Sequence, residues 1–434
     1  MAWDFTTDPQ FQEKLQWADA FVREEVEPLD LVWPHPDNYK PLTPERRKVV
    51  DPLKQTVRDQ GLWACHLGPE LGGKGYGQVK LALLNEILGR SSWAPVIFGT
   101  QAPDTGNAEI LAHFGTSEQK KRYLEPLLNG EIFSCYSMTE PHAGADPAMF
   151  TTCAIREGDD WVINGWKFFS SNARWAEFLI VMAFTDPDAG PYRGMSMFLV
   201  PRDTPGVNIV RNVGLMGEPS DEGSHALIHY DNVRVPADSL LGPEGGAFMV
   251  AQTRLGGGRV HHAMRTVGVA QRALDMLCER ALSRRTKGSL LADKQKVQEY
   301  IADSYAQLQQ FRLFVMYVAW QIDRHQDYKK VRKDIAAIKV LTPTVLHDIV
   351  YRTIQVHGAL GVSNELPLSR MWLQAPVMGI ADGPTEVHKG TVAREVLKGY
   401  EPADPAWPSE HLPARLAAAK EKIATALELE IGNL

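Results

Sequence analysis

Between residues 132 and 241, short apolar runs such as 178–184 and 195–200 alternate with turn clusters, whereas the flanking chain repeats its apolar residues every three or four positions. The first texture suits strands and the second amphipathic helices, so the order along the chain is helix, sheet, helix. Over residues 9–27, Phe11, Leu15, Ala18, Val22 and Val26 share one helical face. Asp51-Pro52 predicts the start of a second helix with Gly61 as its stop, and helical patterns continue over 78–90 and from Ser117 to Leu128. Asn164-Gly165, set between Trp161-Val162-Ile163 and Trp166-Lys167-Phe168-Phe169, is the strongest hairpin signal in the chain. Beyond Ala247, helical stretches at 260–285, 291–323 and 330–358 are long enough to form a bundle. A Pro-rich, acidic tail from Glu401 to Pro413 leads to one more amphipathic helix at 414–428.

Charge and cysteine usage remove several classes of function. With 46 basic against 53 acidic residues the net charge is −7, so no global positive field is available to hold a phosphate backbone, and no nucleic-acid partner is expected. Cys65, Cys135, Cys153 and Cys278 are scattered without a C-x-x-C pair and read as free thiols of a reducing compartment. The first residues lack a basic region followed by an apolar one, and no uncharged run approaches the roughly 20 residues a membrane span needs. No transmembrane segment is expected, and the location read from these features is cytoplasmic.

Common cofactor and hydrolase motifs are missing. Gly72-Gly73-Lys74-Gly75-Tyr76-Gly77 and Gly256-Gly257-Gly258 do not open a helix after a strand, so they read as turn glycines or close helix contacts. His261-His262 has no carboxylate at ligand spacing, and no metal site is expected. No G-x-S-x-G elbow is present.

The segment Tyr136-Ser137-Met138-Thr139-Glu140-Pro141-His142-Ala143-Gly144-Ala145-Asp146 resembles the signature that opens the β domain of acyl-CoA dehydrogenases. Further blocks agree in unchanged order: Ile163–Asn172, Ala281–Gly288, Gln355–Gly361 and Ala381–His388. Ala102–Asn107 and the Ala-Asp-Gly-Pro form of the last block are most similar to the branch called family members 10 and 11. That branch adds a kinase-like domain, which the resemblance leads one to expect missing here. The resemblance implies an α+β, mostly α fold with an N-terminal helical domain (1–131), a central β domain (132–241), a C-terminal four-helix bundle (242–400) and a tail with one helix (401–434).

The same resemblance implies an FAD-dependent oxidoreductase that desaturates an acyl-CoA thioester and passes electrons to electron-transfer flavoprotein. Asp382 would be the base, with desolvation raising its pKa, the alternative being a plain Asp-Gly turn, and Arg259 would hold its carboxylate or else be one more surface arginine. Most of the family has Glu there, so the reach is one methylene shorter. The backbone N–H of Asp382 would also meet the thioester carbonyl. Met138, Thr139, Phe169 and Ser171 would line the flavin ring, although core packing is the alternative for Phe169. Arg284, Thr286, Gln295, Gln355, Gly358, Ala359 and Glu386 would reach the rest of FAD, in part that of a neighbouring subunit, so a homodimer or homotetramer is expected. Ala145 would touch both cofactor and substrate, and Gly383 and Arg394 the substrate. Lys287, Ala145, Leu360 and Glu386 depart from the family's usual residues. An acyl-CoA oxidase, a nitroalkane-oxidase-like flavoenzyme and an inactive binding relative are the competing expectations.

Overall fold

A computed structural model describes residues 3–34, 41–218 and 223–427. By its internal contacts the chain divides into a compact unit, Met1–Lys389, and a smaller one, Gly390–Leu434. The first third is helical: α1 (Pro9–Phe21) continues through a π turn (Val22–Val26) into α2 (Glu27–Val32), followed by α3 (Pro44–Asp59), α4 (Gly77–Leu88), α5 (Ala94–Ile97), α6 (Asp104–Phe114), α7 (Ser117–Gln119) and α8 (Glu125–Asn129). Local chemistry sets the starts. Asp8 accepts the Phe11 N–H at 2.9 Å with Pro9 in the first turn, and Thr116 and Gln119 close a reciprocal capping box.

The expected helix start at Asp51-Pro52 is wrong, because Pro52 lies inside α3. Thr43-Pro44 begins it instead, Thr43 accepting the Arg46 N–H with Pro44 at the first helical position. Gly61 follows the helix end with a left-handed φ of 69°, as a stop requires.

The middle of the chain is one sheet built from β1 (Ser134–Ser137), β2 (Cys153–Glu157), β3 (Asp160–Lys167), β4 (Phe178–Phe184), β5 (Met195–Pro201), β6 (Val207–Val213) and β7 (His225–Pro236). The strand order is β1-β4-β2-β3-β7-β6, with β5 pairing on β4. The link between β4 and β2 is the bridge Cys153↔Phe184 alone, which lets the sheet curl. Strand β4 explains the long apolar run in the sequence. Phe178, Ile180 and Met182 pack with Ala108, Leu111, Leu127 and Val250 of the helices, while Leu179, Val181 and Ala183 pack with Ile163, Ile228 and Tyr230 of the sheet. Both faces are covered, and each of the larger side chains, Ala183 apart, contributes about 1.5–3 kcal/mol.

The hairpin expectation at Asn164-Gly165 is overturned. Strand β3 passes through both residues, and the reversal falls at Gly158, φ 65°, between β2 and β3. The freedom of the pair is used for a register shift between Ile163 and Gly165, where φ is 144° and a Cβ would stand 2.5 Å from Thr152 Oγ1.

Helices then return as α9 (Ala247–Ser283), a small hairpin of β8 (Arg285–Thr286) and β9 (Ser289–Leu290), α10 (Gln295–His325), α11 (Tyr328–His357), α12 (Leu368–Ile380), α13 (Thr385–Leu397) and α14 (Leu412–Leu427). Val260, Met264 and Val267 of α9, Phe311 and Val315 of α10, Ile338 and Ile349 of α11 and Met371 of α12 form the bundle core. The division between the two compact units falls within α13. Helix α14 answers the pattern read at 414–428, whose last residue lies outside the described ones. All four cysteines are free thiols. Among the described residues no helix is long and apolar enough to cross a membrane.

Candidate functional site

The structure sorts the residues singled out in the sequence into three groups and leaves a few apart. The first group is where the chain leaves β1 and β3 side by side. Lys167, the last residue of β3, is buried and donates Nζ to the Met138 carbonyl at 2.8 Å and to Glu140 Oε1 at 3.0 Å. Glu140 also accepts the N–H groups of Thr151 and Thr152 at 2.7 and 2.9 Å. Burial pushes this carboxyl upward, but Lys167 and those hydrogen bonds outweigh it and hold it at about 2. Burial depresses the Lys167 ammonium to about 8.

This pair pins the strand exits, and Phe168 N–H meets the Thr139 carbonyl at 2.7 Å. Ser137 shares hydrogen bonds with Ser170 and with the Tyr230 phenol, both at 2.9 Å, and Ser171 Oγ lies 2.9 Å from His225 Nδ1. Met138, Thr139, Phe169 and Ser171 therefore come together. Core packing is excluded for Phe169, which sits past the end of β3 with φ 51° and a ring 44% exposed. Ala145 lies on the exposed loop between β1 and β2.

The second group surrounds Asp382, in the short connection between α12 and α13. Its φ of 56° is left-handed, and Gly383 follows at 105°. Two donors hold its carbonyl oxygen: Arg259 Nε at 2.9 Å and His388 Nε2, the ring being 3.2 Å away. Arg259 thus grips the main chain and not, as expected, the carboxylate. The side chain, 19% exposed, turns to α9, where Oδ2 stands 3.6 Å from His262 Nε2.

A Cβ on Gly258 would lie 3.2 Å from that oxygen, so the glycine makes the approach possible. Its neighbours serve similar contacts: a Cβ on Gly257 would meet Glu109 Oε2 at 2.7 Å, and one on Gly256 the Tyr328 ring at 3.0 Å. Arg254, on the same helix, lies 4.0 Å over the Tyr136 ring, whose hydroxyl donates to Met138 Sδ at 3.7 Å. A line of contacts therefore runs from the helix that faces Asp382 to the first group.

The electrostatics correct the expected direction for Asp382. Burial does push its pKa up, but His262, Arg254, Arg259 and Lys339 together outweigh it and keep the carboxyl below its ordinary value. Lys339 is itself buried on α11, donates to the Met378 carbonyl in the last turn of α12, and is depressed to about 8 by burial. Burial alone raises Glu109 to about 8, against a Tyr328 hydrogen bond that pulls the other way.

The third group lies at one end of the bundle. Arg284 follows α9, Thr286 is in β8, Gln295 opens α10, Gln355 is in the last turn of α11, and Gly358 and Ala359 come directly after it; all six are exposed. They are gathered because Leu277 and Ala281, Val297 and Val356 from the three helices share a small core there. Gly358 has φ 63°, and a Cβ there would meet open space. Glu386 is exposed in the first turn of α13, and a Cβ on Gly383 would press His388 Nε2 at 2.8 Å. Arg394 belongs to the smaller compact unit and donates to Thr391 Oγ1 at 3.3 Å.

The sequence marked Gly258 only as a turn or close-contact glycine and His262 only as half of a pair without a metal site, and it did not mark Arg254 or Lys339. The signal was present for two of them: Gly258 and His262 are four apart in a helical stretch, hence on one face.

Known proteins add an independent line. Residues 9–131, 135–233 and 245–397 match the N-terminal, middle and C-terminal domain families of acyl-CoA dehydrogenases. The probable acyl-CoA dehydrogenase FadE2 of Mycobacterium tuberculosis is 45% identical over 80% of this chain and 86% of its own length. Acyl-CoA dehydrogenase family member 11 of Gallus gallus is 39% identical over 88% of this chain, which spans 50% of that protein. Among solved structures, a presumed acyl-CoA dehydrogenase from Mycobacterium abscessus is 39% identical with a TM-score of 0.84, covering 91% of this chain and 100% of its own. A glutaryl-coenzyme A dehydrogenase bound to glutaryl-CoA is 25% identical with a TM-score of 0.77, covering 92% and 98%.

Proposed function

The chain belongs to the acyl-CoA dehydrogenase family, and on that premise we propose that it is an FAD-dependent oxidoreductase that removes hydrogen from Cα and Cβ of an acyl-CoA, with Asp382 as the base. The arrangement at Asp382 carries the reading. An ionised carboxyl with an anchored backbone faces a helix that has been stripped to glycine opposite it.

The described residues fit a flavin cofactor. Phe169 offers an exposed aromatic face beside the pinned exits of β1 and β3. The Arg284 guanidinium has no hydrogen bond or ion pair among the described residues, leaving its planar fork for a pyrophosphate, and a Cβ at Gly358 would meet open space. Met138, Thr139, Phe169 and Ser171 would hold the ring; Arg284, Thr286, Gln295, Gln355, Gly358, Ala359 and Glu386 would hold the rest. When bound, the oxidised ring supplies the acceptor for the hydride that leaves Cβ.

The protein's own part is the proton. Asp382 takes it from Cα, and the cations Arg254, Arg259 and Lys339 help keep the carboxyl ionised, hence ready, at neutral pH. Its backbone N–H is the donor for the thioester oxygen, where charge develops as the proton leaves. Electron-transfer flavoprotein is the proposed acceptor, a homodimer or homotetramer the proposed assembly, and Ala145 and Gly383 the proposed further substrate contacts.

An anaerobic titration of the purified protein with short, long, branched and hydroxylated acyl-CoAs tests this. Bleaching of the yellow flavin is expected with at least one class, and Asp382→Asn should keep the flavin while slowing bleaching about 10²–10⁴-fold. Normal bleaching in that variant removes Asp382 from the role. A reduced flavin that persists in air until electron-transfer flavoprotein is added separates a dehydrogenase from an oxidase.

A further inference from the structure

The reaction as proposed makes no use of His262, yet this side chain shares the α9 face with Gly258, one helical turn away, and with it forms the surface that the Asp382 carboxylate meets. The loop itself does not depend on it, because Arg259 and His388 already secure the Asp382 carbonyl. What stays free is rotation of the carboxyl group about its own bonds. Among the described residues no hydrogen bond reaches either carboxylate oxygen, and Arg254, Arg259 and Lys339 act on it through charge. At 3.6 Å, His262 Nε2 is just outside hydrogen-bond range of Oδ2. A small rotation closes the gap.

We propose that His262 is the positioning residue of the base: it orients the Asp382 carboxylate and sets its proton affinity, so that the pair and not the aspartate alone performs the abstraction. The proposal rests on the reading of Asp382 as the base. A neutral imidazole carrying its proton on Nε2 donates to Oδ2 and leaves Oδ1 directed at the substrate. A protonated imidazole places a further positive charge against the carboxylate and weakens it as a base.

The charged and titratable groups that face His262 are Arg254, Arg265 and His261 from α9, Lys339 from α11 and Asp382 from the α12–α13 connection. Burial and the neighbouring cations favour the neutral ring, and Asp382 is the group that favours the charged one. The short Asp in place of the family's usual Glu fits this arrangement: with Gly258 beneath it, the carboxylate rests against α9 within reach of a residue that can steer it.

Two measurements on the flavin-loaded full chain test the proposal. In histidine-labelled protein, NMR titration should show the His262 pKa falling by about one unit in Asp382→Asn, because the charge that favours the imidazolium is gone. An unchanged His262 titration overturns the proposal, and this arm needs no acyl-CoA, so it still decides if the reading of the substrate fails.

In the second, acyl-CoA-driven flavin reduction is followed against pH. His262→Leu should lower the rate tenfold or more with flavin content kept. His262→Gln, which restores a donor near the Nε2 position without titrating, should recover most of that loss, while its acid limb falls with the slope of one proton where the wild type falls more steeply. Equal losses in both variants with a wild-type pH profile, or no loss in His262→Leu, overturn it.

Discussion

At the scale of single residues, the chemistry proposed here depends on a group that is absent as much as on one that is present. Gly258 has no side chain, and that vacancy is what the Asp382 carboxylate fills. Gly258→Ala is therefore a test in which fold and rate part company. Alanine favours a helix interior over glycine by about 0.5–1 kcal/mol, so the melting temperature should hold or rise. The carboxylate must give way to the new methyl, and flavin reduction should slow about 10–100-fold. A variant as fast as the wild type would show that the approach to α9 is not the productive geometry. Asp382 was legible because the blocks around it resemble those of acyl-CoA dehydrogenases, but its environment was misjudged. Desolvation can be guessed from an apolar slot, whereas the convergence of Arg254, Arg259 and Lys339 is set by how α9 and α11 cross the connection after α12.

At the scale of elements, the exits of β1 and β3 are held by a buried ion pair whose removal is predicted to be felt in the whole β domain. Lys167→Met leaves Glu140 buried and uncompensated, and should destabilise the protein by about 3–5 kcal/mol, measurable by chemical denaturation. The pH dependence has a definite sign. The Glu140 carboxyl is held at about 2 in the folded chain against an ordinary value of 4.5. Its contribution is complete above 4.5 and is lost as pH falls toward 2. Melting temperature should drop more steeply over that interval in the wild type than in Glu140→Gln, and parallel curves would count against it. The helix, sheet, helix order, the long helices and the buried run of β4 are legible because each follows from a local period. The Asn164-Gly165 turn was not, since a dipeptide able to reverse the chain is equally able to bulge against Thr152, and only the pairing of β3 with β2 and β7 decides. The start of α3 was misplaced for a similar reason, an interior Pro52 imitating a boundary.

At the scale of the whole molecule, the bundle end gathers exposed polar groups, among them Arg284, Gln295 and Gln355. Arg284→Ala should lower FAD retention after gel filtration while the assembly, read by light scattering, stays as in the wild type; unchanged flavin content would move the pyrophosphate contact elsewhere. Arg284, Gln295, Gln355 and Gly358 gather there only because α9 and α11 end, and α10 begins, around Leu277, Val297 and Val356. No stretch of sequence carries that convergence. If those outward-facing groups grip a neighbour's cofactor, then pigment becomes a reporter of company. Serial dilution of the yellow protein should release free flavin at the concentrations where subunits part, with far-UV circular dichroism still native, and addition of unlabelled apoprotein should draw the colour back.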